Sequence, residues 1–300
     1  NFFGLFRSLS DSTVIDASVN VPDYYLASPD NIGILSDIVE NSIWVSPSVD
    51  IHWLGFDDDD TNMPFFNGFA YEINHSTILN GIKIKIDNIV SRYLESFEGS
   101  YIFSGLAYKM NNVNITGDVS IETGDQNAFL IVGVGGEVES LRMQNVTIKT
   151  GNVNSSGVFG VLGNSSGETI IDNVRVVVGD IVGSLYGVAN ECKGLKLGKA
   201  ELTVGNVDKG NFVGLCDTVS GSTIENVTAN YKDIYTGGAW AIAKTIDNVS
   251  VLSNIKIMID SMISNRSGMS MGGIETLSGK LNAIAVKIGH LQTSQKSGAD

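Results

Sequence analysis

The tetrapeptide Phe159-Gly160-Val161-Leu162 is followed at a constant interval by Tyr186-Gly187-Val188-Ala189, Val213-Gly214-Leu215-Cys216 and Trp240-Ala241-Ile242-Ala243. Each copy has an aromatic or aliphatic residue, then glycine or alanine, then two apolar residues. A constant period of roughly 27 residues indicates that each repeat is one supersecondary unit that cannot bury its apolar face alone. Neighbouring repeats must therefore stack into a continuous core.

The same signal continues in both directions with unequal steps, at Gly4, Gly33, Gly68, Gly105 and Gly133 before the regular copies and at Gly273 after them. The steps lengthen between Gly33 and Gly105 and become regular from Gly133 to Ala241. We therefore predict one continuous array. Residues 1–104 form irregular turns with two insertions, residues 105–260 form regular turns, and residues 261–300 form an irregular terminal turn.

The segments between the glycines alternate apolar and polar residues, as in Val174-Arg175-Val176-Val177-Val178 and Ile255-Lys256-Ile257-Met258-Ile259. This pattern predicts short strands. At the rise of a strand, one regular period traces about 90 Å, enough for about three short strands and their corners. The sequence thus predicts an all-β fold, a single-stranded parallel β-solenoid (β-helix) of about ten coils, right-handed by the usual chirality of strand crossovers.

A second repeated position lies nearly half a period after most of these glycines and is often asparagine. Asparagine tolerates the left-handed conformation of a tight turn, and in stacked turns its side chain can bond to the next asparagine. We therefore predict a structural ladder formed by Asn80, Asn112, Asn145, Asn173, Asn226 and Asn254.

The charge of the chain is concentrated in its first third. The formal net charge is −14, and residues 1–100 hold 15 acidic and 4 basic side chains. An acidic chain without a basic stripe is poorly suited to nucleic acid or anionic lipid, so we predict neither as a partner. Because the sequence lacks an unbroken apolar run long enough to cross a bilayer, we predict no membrane span in this segment. The first residue, Asn1, indicates a processed or excised segment.

The cysteines, Cys192 and Cys216, lie five and two residues after the glycines of neighbouring repeats. They are therefore out of register by three positions, and a disulfide would need a distorted corner. The sequence favours two buried free thiols.

The two lengthened repeats contain insertions at about 51–66 and 88–100, rich in aromatic and acidic residues. Departures from a repeat are where function is expected. We predict a ligand-binding or partner-binding patch in which aromatic rings stack on a sugar or protein and the four adjacent aspartates hold Ca²⁺. Its residues are Trp53, Phe56, Asp57, Asp58, Asp59, Asp60, Tyr93 and Phe97. The competing interpretation is a solvated loop whose aromatics fold back over the coil.

The sequence offers no catalytic constellation. β-Solenoids include pectin lyases, glycosidases and phage tailspikes, whose sites need carboxylates aligned on one outer face. The pairs Glu137 with Glu139 and Glu122 with Asp125 are expected at solvated corners, and the three histidines are scattered. We therefore predict that this chain is not an enzyme, that it needs no cofactor, and that no catalytic residue is present.

The segment Ile171-Asp172-Asn173-Val174-Arg175-Val176, followed by Gly179-Asp180-Ile181, resembles the GLUG-type repeats of bacterial surface and secreted proteins. The resemblance covers nearly the whole chain and is best from Gly105 to Ile257. It implies a large adhesin-like or autotransporter-passenger β-solenoid outside the cell, with a structural or adhesive role.

Three functions follow as hypotheses. The first is an extracellular adhesive segment that contacts a protein or glycan of a host or neighbouring cell through loops of coils 2–4. The second is a carbohydrate-active solenoid. The third is a subunit of an extracellular fibre that assembles end to end, since exposed strand edges favour such contacts.

Overall fold

A computed structural model describes residues 4–26, 31–56, 64–91, 101–264 and 271–293. They form a right-handed parallel β-solenoid, as the sequence predicted, with about nine turns where the sequence suggested about ten. Strands of successive turns pair in parallel along the whole stack.

The described strands, in chain order, are β1 (Phe6–Ser10), β2 (Thr13–Ile15), β3 (Ser18–Leu26), β4 (Asn31–Gly33), β5 (Ser36–Glu40), β6 (Ile43–Val45), β7 (Ser48–Phe56), β8 (Phe65–Asn67), β9 (Ala70–Asn74), β10 (Thr77–Leu79), β11 (Ile82–Ser91), β12 (Ile102–Ser104), β13 (Ala107–Ile115), β14 (Val119–Thr123), β15 (Gln126–Val132), β16 (Gly135–Thr150), β17 (Val153–Phe159), β18 (Leu162–Ser166), β19 (Thr169–Val178), β20 (Ile181–Tyr186), β21 (Ala189–Lys193), β22 (Leu195–Leu197), β23 (Ala200–Val204), β24 (Val207–Asp208), β25 (Asn211–Val213), β26 (Cys216–Ser220), β27 (Thr223–Thr236), β28 (Gly238–Ile246), β29 (Val251–Ser264), β30 (Met271–Leu277) and β31 (Lys280–Thr293).

One regular turn has four corners. After Gly133 the chain follows β16, which bends at Ser140 (φ 60°) and again at Asn145 (φ 54°). It turns at Gly151 and returns along β17 toward Gly160. Because φ is positive at the two bends inside β16, each changes the direction of the strand. Pairing with the next turn stops at each bend and resumes after it: Glu139 pairs with Ser166 before the first bend, and Arg142 pairs with Ile170 after it.

The glycine corner explains the period of the sequence. A Cβ added at Gly133, Gly160, Gly187 or Gly214 would lie 1.9 to 2.1 Å from the carbonyl oxygen of the equivalent residue in the next turn. The amide of each glycine also donates to the preceding residue of the next turn, as from Gly160 to Tyr186 (3.0 Å). Glycine recurs here because the neighbouring backbone occupies the place of a side chain.

One of the predicted repeat glycines is out of place. Gly33 pairs with Asn67, and the amide of Ile34 donates to the carbonyl of Asn67. Ile34 therefore occupies the glycine corner of that turn, opposite Gly68. The expectation that Gly33 occupies this corner was wrong by one residue.

The asparagine corner holds most of the predicted ladder. The side-chain amide of Asn173 donates to the side-chain oxygen of Asn145 (2.8 Å), and that of Asn254 to Asn226 (2.7 Å). All four have φ between 52° and 54°. Lys199, opposite Asn173, interrupts the run.

The other two predicted ladder residues lie differently. Asn80 (φ 61°) is at the same corner and follows Leu79, which pairs with Val45. Asn112 lies at the preceding corner, next to His75, and its side-chain nitrogen is 3.1 Å from the Nδ1 atom of that histidine. Because Asn111 pairs with Asn74, Asn112 belongs to a different column, and its assignment to the ladder was wrong.

A second ladder, which the sequence analysis missed, lies at the corner after Thr150 and its equivalents. The side chain of Asp125 accepts the backbone N–H of Asn152 (2.7 Å), Asn152 accepts that of Asp180 (2.9 Å), and Asp180 accepts that of Asn206 (2.8 Å). Each of these follows a glycine. The sequence signal is a Gly-Asx pair that recurs in four successive turns.

The interior is filled by the inward-facing residues of every strand. The first turns are filled with aromatic side chains: Trp44 packs edge-on against Phe69 (4.8 Å between ring centroids) and Phe66 against Tyr101 (5.6 Å). Trp44, Phe66, Phe69 and Tyr101 each have a relative exposure of 0%. The regular turns use mainly valine, isoleucine and leucine, which gives the later coils a more uniform cross-section.

The interior also contains a disulfide between Cys192 and Cys216, with Cα atoms 6.3 Å apart. Both residues are buried, as predicted, but the expectation of free thiols was wrong. Ala189 is opposite Cys216, and Ala189 and Cys192 are both buried on β21. The two sulfur atoms therefore meet diagonally inside the coil, without a distorted outer corner.

Candidate functional site

The predicted patch in the lengthened turns lies partly within the described residues. Trp53 is half-buried on β7, and a Cβ added at Gly55 would lie 2.1 Å from its ring, so the indole covers the backbone there. Phe56 ends β7. Asp57, Asp58, Asp59, Asp60, Tyr93 and Phe97, including the proposed calcium ligands, lie outside the described residues.

Both insertions begin and end on neighbouring strands. Trp53 pairs with Asn88 and Phe56 with Ser91, where β7 and β11 end. Beyond the insertions, Phe65 pairs with Ile102. The described residues that flank the two insertions are therefore neighbours both before and after them.

Next to Trp53, the outer surface carries a charged group around Asp87. His52 Nδ1 lies 2.9 Å from the Asp87 carboxylate, and Lys85 Nζ lies 3.3 Å from Asp87 and 3.6 Å from Asp50. The hydrogen bond from His52 holds the pKa of Asp87 below its usual range. The carboxylates raise the pKa of Lys85 in turn, chiefly through the hydrogen bond to Asp87. These side chains satisfy one another at the surface.

A longer surface feature follows the glycine corner. In each turn the two residues after the glycine face inward, so the residue before the glycine and the third residue after it form two walls on the outer side of the corner. We call this strip the axial groove. On the first wall Val132, Phe159 and Tyr186 are opposite one another; Val132 is buried, and the two rings are partly exposed.

The first aromatic cluster of the axial groove consists of Phe65, Tyr71 and Tyr108. Phe65 lies 4.4 Å from Tyr108 and 5.7 Å from Tyr71 between ring centroids, and the two tyrosine rings are stacked at 6.0 Å with an angle of 15°. All three are half-buried. They form a partly exposed apolar surface on two adjacent turns, in which Phe65 stands at 73° to the Tyr71 ring and at 58° to the Tyr108 ring.

Polar groups border this first cluster. Lys109 Nζ lies 5.8 Å from the centroid of the Tyr71 ring, and the Tyr108 hydroxyl lies 3.5 Å from a carboxylate oxygen of Glu137. Burial is the main cause that raises the pKa of Tyr71 and of Tyr108. Their phenols stay protonated at neutral pH and keep a hydrogen-bond donor at the rim of the surface.

A second group of aromatic residues precedes the glycine corner: Phe159, Tyr186 and, two turns beyond Tyr186, Trp240. Phe159 and Tyr186 are 5.0 Å apart between ring centroids. Lys244 Nζ lies 4.8 Å from the centroid of Trp240 and 2.6 Å from the carboxylate of Asp217. Burial also raises the pKa of Tyr186. This end of the groove therefore combines two tilted rings (42°) with an ion pair beside Trp240.

The wall after the glycine corner is acidic. Its third and fourth positions hold six carboxylates, two lysines and one arginine, counted from the paired strands: Asp37, Glu72, Glu137, Glu191, Asp217, Glu275, Lys109, Lys244 and Arg7. Just outside this wall lies a cleft of about 500 Å³ lined by residues that include Glu72, Glu137, Glu139 and Glu191. The field along this side of the groove is negative.

The predicted corner position was wrong for three of the four residues in the two acidic pairs. Glu137 and Glu139 lie on β16 at alternate outward positions, and Glu122 lies on β14; none of these is at a corner. Period-two alternation places them on strand faces because the inward neighbours Val138 and Ile121 fill the core. Asp125 does lie at a corner, in the ladder described above.

The sequence analysis missed the axial groove, although a signal was present. Tyr71, Tyr108, Asp217 and Lys244 each stand three residues after the repeat glycine or its alanine equivalent, one residue beyond the quoted motif. The repeat motif describes the inward-facing residues, whereas these four side chains face outward.

Among the described residues, His, Cys, Asp and Glu side chains do not group in threes in a way that would hold a metal ion. Within the same residues, no helix is long and apolar enough to cross a membrane. No family model, curated protein or solved structure matches this chain.

Proposed function

We propose that this chain is a rigid extracellular adhesive segment that binds carbohydrate through its first aromatic cluster. The observation that carries the proposal is the half-exposed surface of Phe65, Tyr71 and Tyr108 on two adjacent turns, bordered by carboxylates. The solenoid holds these rings in place through the pairing of Ala70 with Ala107 beneath them.

An extracellular location is supported by the chemistry of the interior. The disulfide Cys192–Cys216 is the sort of bond that forms and persists in oxidising compartments. The repeat also resembles the GLUG-type repeats of bacterial surface and secreted proteins, which agrees with display outside a cell. A solenoid suits an adhesive role because stacked turns add length while each turn needs only its neighbours for stability.

A sugar fits the first cluster better than a protein partner does. Aromatic rings present a large, rigid apolar area, and the C–H face of a pyranose ring covers such an area. Sugar hydroxyls require acceptors at the edge, and Glu72 and Glu137 lie next to Tyr71 and Tyr108 on the same strands or their paired neighbours. The cluster lies within coils 3 and 4, inside the region from which partner binding was predicted.

The test is binding to a glycan array by the wild type and by the double variant Tyr71→Ala/Tyr108→Ala. Tyr235→Ala is the matched control, because Tyr235 is an exposed aromatic (37%) on a strand that leads toward the corner, outside the groove. Trp53→Ala separates the groove from the patch in the lengthened turns. We expect the double variant to lose binding while Tyr235→Ala and Trp53→Ala keep it, with circular dichroism unchanged. Equal binding by the double variant overturns the proposal.

A further inference from the structure

We propose that a carbohydrate bound at the first aromatic cluster continues into the cleft beside the acidic wall, so that the complete site takes a neutral oligosaccharide longer than a disaccharide. This rests on the proposed carbohydrate binding and adds the length of the ligand, its charge class and the surface that its further sugars occupy. We call that surface the strand-face cleft, because its lining residues lie on β9, β13, β16, β18 and β21.

The strand-face cleft is a trough between two columns of outward-facing side chains. On β16 the columns are represented by Glu137 and Glu139, which are exposed, while Val138 between them faces inward. The floor is formed by Met110, Val138 and Ser165, which pair with one another in successive turns and have relative exposures of 2 to 3%. The cleft of about 500 Å³ is within the range of small-ligand sites, roughly 300 to 1,000 Å³.

The trough is closed at its first turn and open along the others. On β9 the side-chain amide of Asn74 donates to the carboxylate of Glu72 across the trough (2.7 Å). Among the described side chains on β13, β16, β18 and β21, no hydrogen bond or ion pair joins the two columns. A ligand can therefore lie between the columns over the later turns.

The length of the cleft exceeds what a single sugar can cover. Its lining continues from Glu72 on β9 to Glu191 on β21, and the strand pairings between them give four intervals between turns. At about 4.8 Å for each interval, the cleft is roughly 19 Å long. A short ligand on the aromatic rings leaves its far end empty. A longer oligosaccharide can contact both surfaces, and linked contacts raise affinity because the second one is intramolecular.

The first aromatic cluster and the cleft share a border. Tyr71 directly precedes Glu72, and Tyr108 directly precedes Lys109. The Tyr108 hydroxyl lies 3.5 Å from a carboxylate oxygen of Glu137, and Lys109 Nζ lies 5.8 Å from the centroid of the Tyr71 ring. Glu72, Lys109 and Glu137 also line the cleft. A sugar stacked on the rings is therefore next to the cleft.

This border offers hydrogen-bond donors and acceptors in alternation. Lys109 pairs with Glu72 of the preceding turn and with Glu137 of the following one, so an ammonium group stands between two carboxylates. The next turn adds the side-chain amide of Asn164, whose oxygen accepts from Asn190 (3.1 Å). Sugar hydroxyl groups both donate and accept, so they can use each of these side chains.

The charge of the cleft selects against anionic sugars. Its lining holds four carboxylates and two lysines: Glu72, Glu137, Glu139, Glu191, Lys109 and Lys193. These side chains have a formal net charge of −2. A uronate would add negative charge to a surface that already has an excess of it, whereas the hydroxyl groups of a neutral sugar would not.

The experiment compares short and long probes by isothermal titration calorimetry. The probes are disaccharides and hexasaccharides of β-1,4-linked glucose, mannose and N-acetylglucosamine, with hexagalacturonate as the anionic comparison. For the wild type we expect at least one neutral hexasaccharide to bind roughly 100-fold more tightly than its disaccharide. Hexagalacturonate should bind more weakly than that hexasaccharide. If it binds more tightly, the charge argument is overturned.

The variant Ser166→Trp tests occupation of the cleft without removing the rings. Ser166 is half-buried on β18 and lines the cleft, so a large side chain there should weaken hexasaccharide binding about 10-fold or more and leave disaccharide binding unchanged. Thr228→Trp is the matched control, because Thr228 is half-buried on β27 and is not among the lining residues. Circular dichroism and urea denaturation check that both variants fold as the wild type does.

The outcomes separate this inference from the proposed function. If Ser166→Trp binds the hexasaccharide as the wild type does, or if Thr228→Trp weakens it equally, the cleft is not the second contact and the inference is wrong. The proposed function then still stands, provided that Tyr71→Ala/Tyr108→Ala loses binding. If no glycan binds the wild type, the proposed function itself fails.

Discussion

Cys192 and Cys216 are joined inside the coil although they stand three register positions apart on paired strands. Cys192 is opposite Val219, and Cys216 is opposite Ala189. The bond links neighbouring turns through the core and closes a segment with a sequence separation of 24 residues. It adds a covalent tie to a stack that hydrogen bonds and apolar packing otherwise hold together.

We expect the double variant Cys192→Ala/Cys216→Ala to unfold more easily than the oxidised wild type. Loss of a cross-link over 24 residues increases the entropy of the unfolded chain, and the expected fall in the free energy of unfolding is about 3 kcal/mol. Urea denaturation measures it. The wild type under reducing conditions serves as the control and should approach the variant. If unfolded, unreduced wild type takes up two alkyl groups in mass spectrometry, the bond is absent and the prediction is wrong.

The glycine corner predicts a large effect for a small substitution. Gly160→Ala would place a methyl group 2.0 Å from the carbonyl oxygen of Gly187, so two turns must separate locally. We expect the free energy of unfolding to fall by about 3 kcal/mol, at the upper end of the range for overpacking. Gly272→Ala is the control, because an added Cβ there meets nothing within 4 Å. Similar losses in both variants would show that the carbonyl contact is not the cause.

The fold could be predicted from the sequence because its main constraint is local and repeated. Each of Gly133, Gly160, Gly187 and Gly214 meets the same backbone atom of the next turn, so the same residue is required at a constant spacing. Alternation along each strand then gives the direction of each side chain. The error at Gly33 arose where the spacing changed, since only strand pairing shows that Ile34 occupies the corner.

The groove and the disulfide could not be predicted in the same way, because both depend on residues far apart in sequence. Tyr71 and Tyr108 belong to different repeats but stack because their turns are adjacent. Cys192 reaches Cys216 because the two inward positions of β21, Ala189 and Cys192, stand three residues apart. Simple alternation would place them two residues apart. Asn112 was assigned to the wrong corner because unequal turns shift the count from the glycine.

At Asn173 the contributions of the ladder hydrogen bond and of the backbone conformation to stability can be separated by two variants. This residue has φ 53° and donates its side-chain amide to Asn145 (2.8 Å). Asn173→Ala loses the hydrogen bond and also the polar side chain that lets asparagine adopt the left-handed region, so we expect a loss of about 2 kcal/mol. Asn173→Gly loses the bond but tolerates the backbone, and its loss should be about 1 kcal/mol. Thermal unfolding of both variants measures the two losses. Equal losses would mean that the backbone conformation contributes nothing to the difference in stability.

The carboxylate of Asp247 predicts a dependence of stability on pH. It accepts hydrogen bonds from the hydroxyls of Ser250 (2.5 Å) and Ser220 (2.8 Å) and from the amides of Gly221 and Val249. The bond from Ser250 is the largest cause that lowers the pKa of Asp247. A carboxyl group whose pKa is lower in the folded state stabilises the fold above its unfolded pKa, about 3.9, and this contribution is lost as the pH falls through the folded pKa.

The variant Asp247→Asn tests this contribution. At neutral pH we expect its free energy of unfolding to be about 1 kcal/mol lower than that of the wild type, because an amide cannot accept hydrogen bonds on both of its terminal atoms. The loss is limited because the site is open to water. The difference should shrink as urea denaturation is repeated at pH values below about 4. Glu122→Gln, an exposed carboxyl on β14, is the control and should differ from the wild type by less than about 0.5 kcal/mol throughout. A gap for Asp247→Asn that stays constant down to acid pH would contradict the role of its charge.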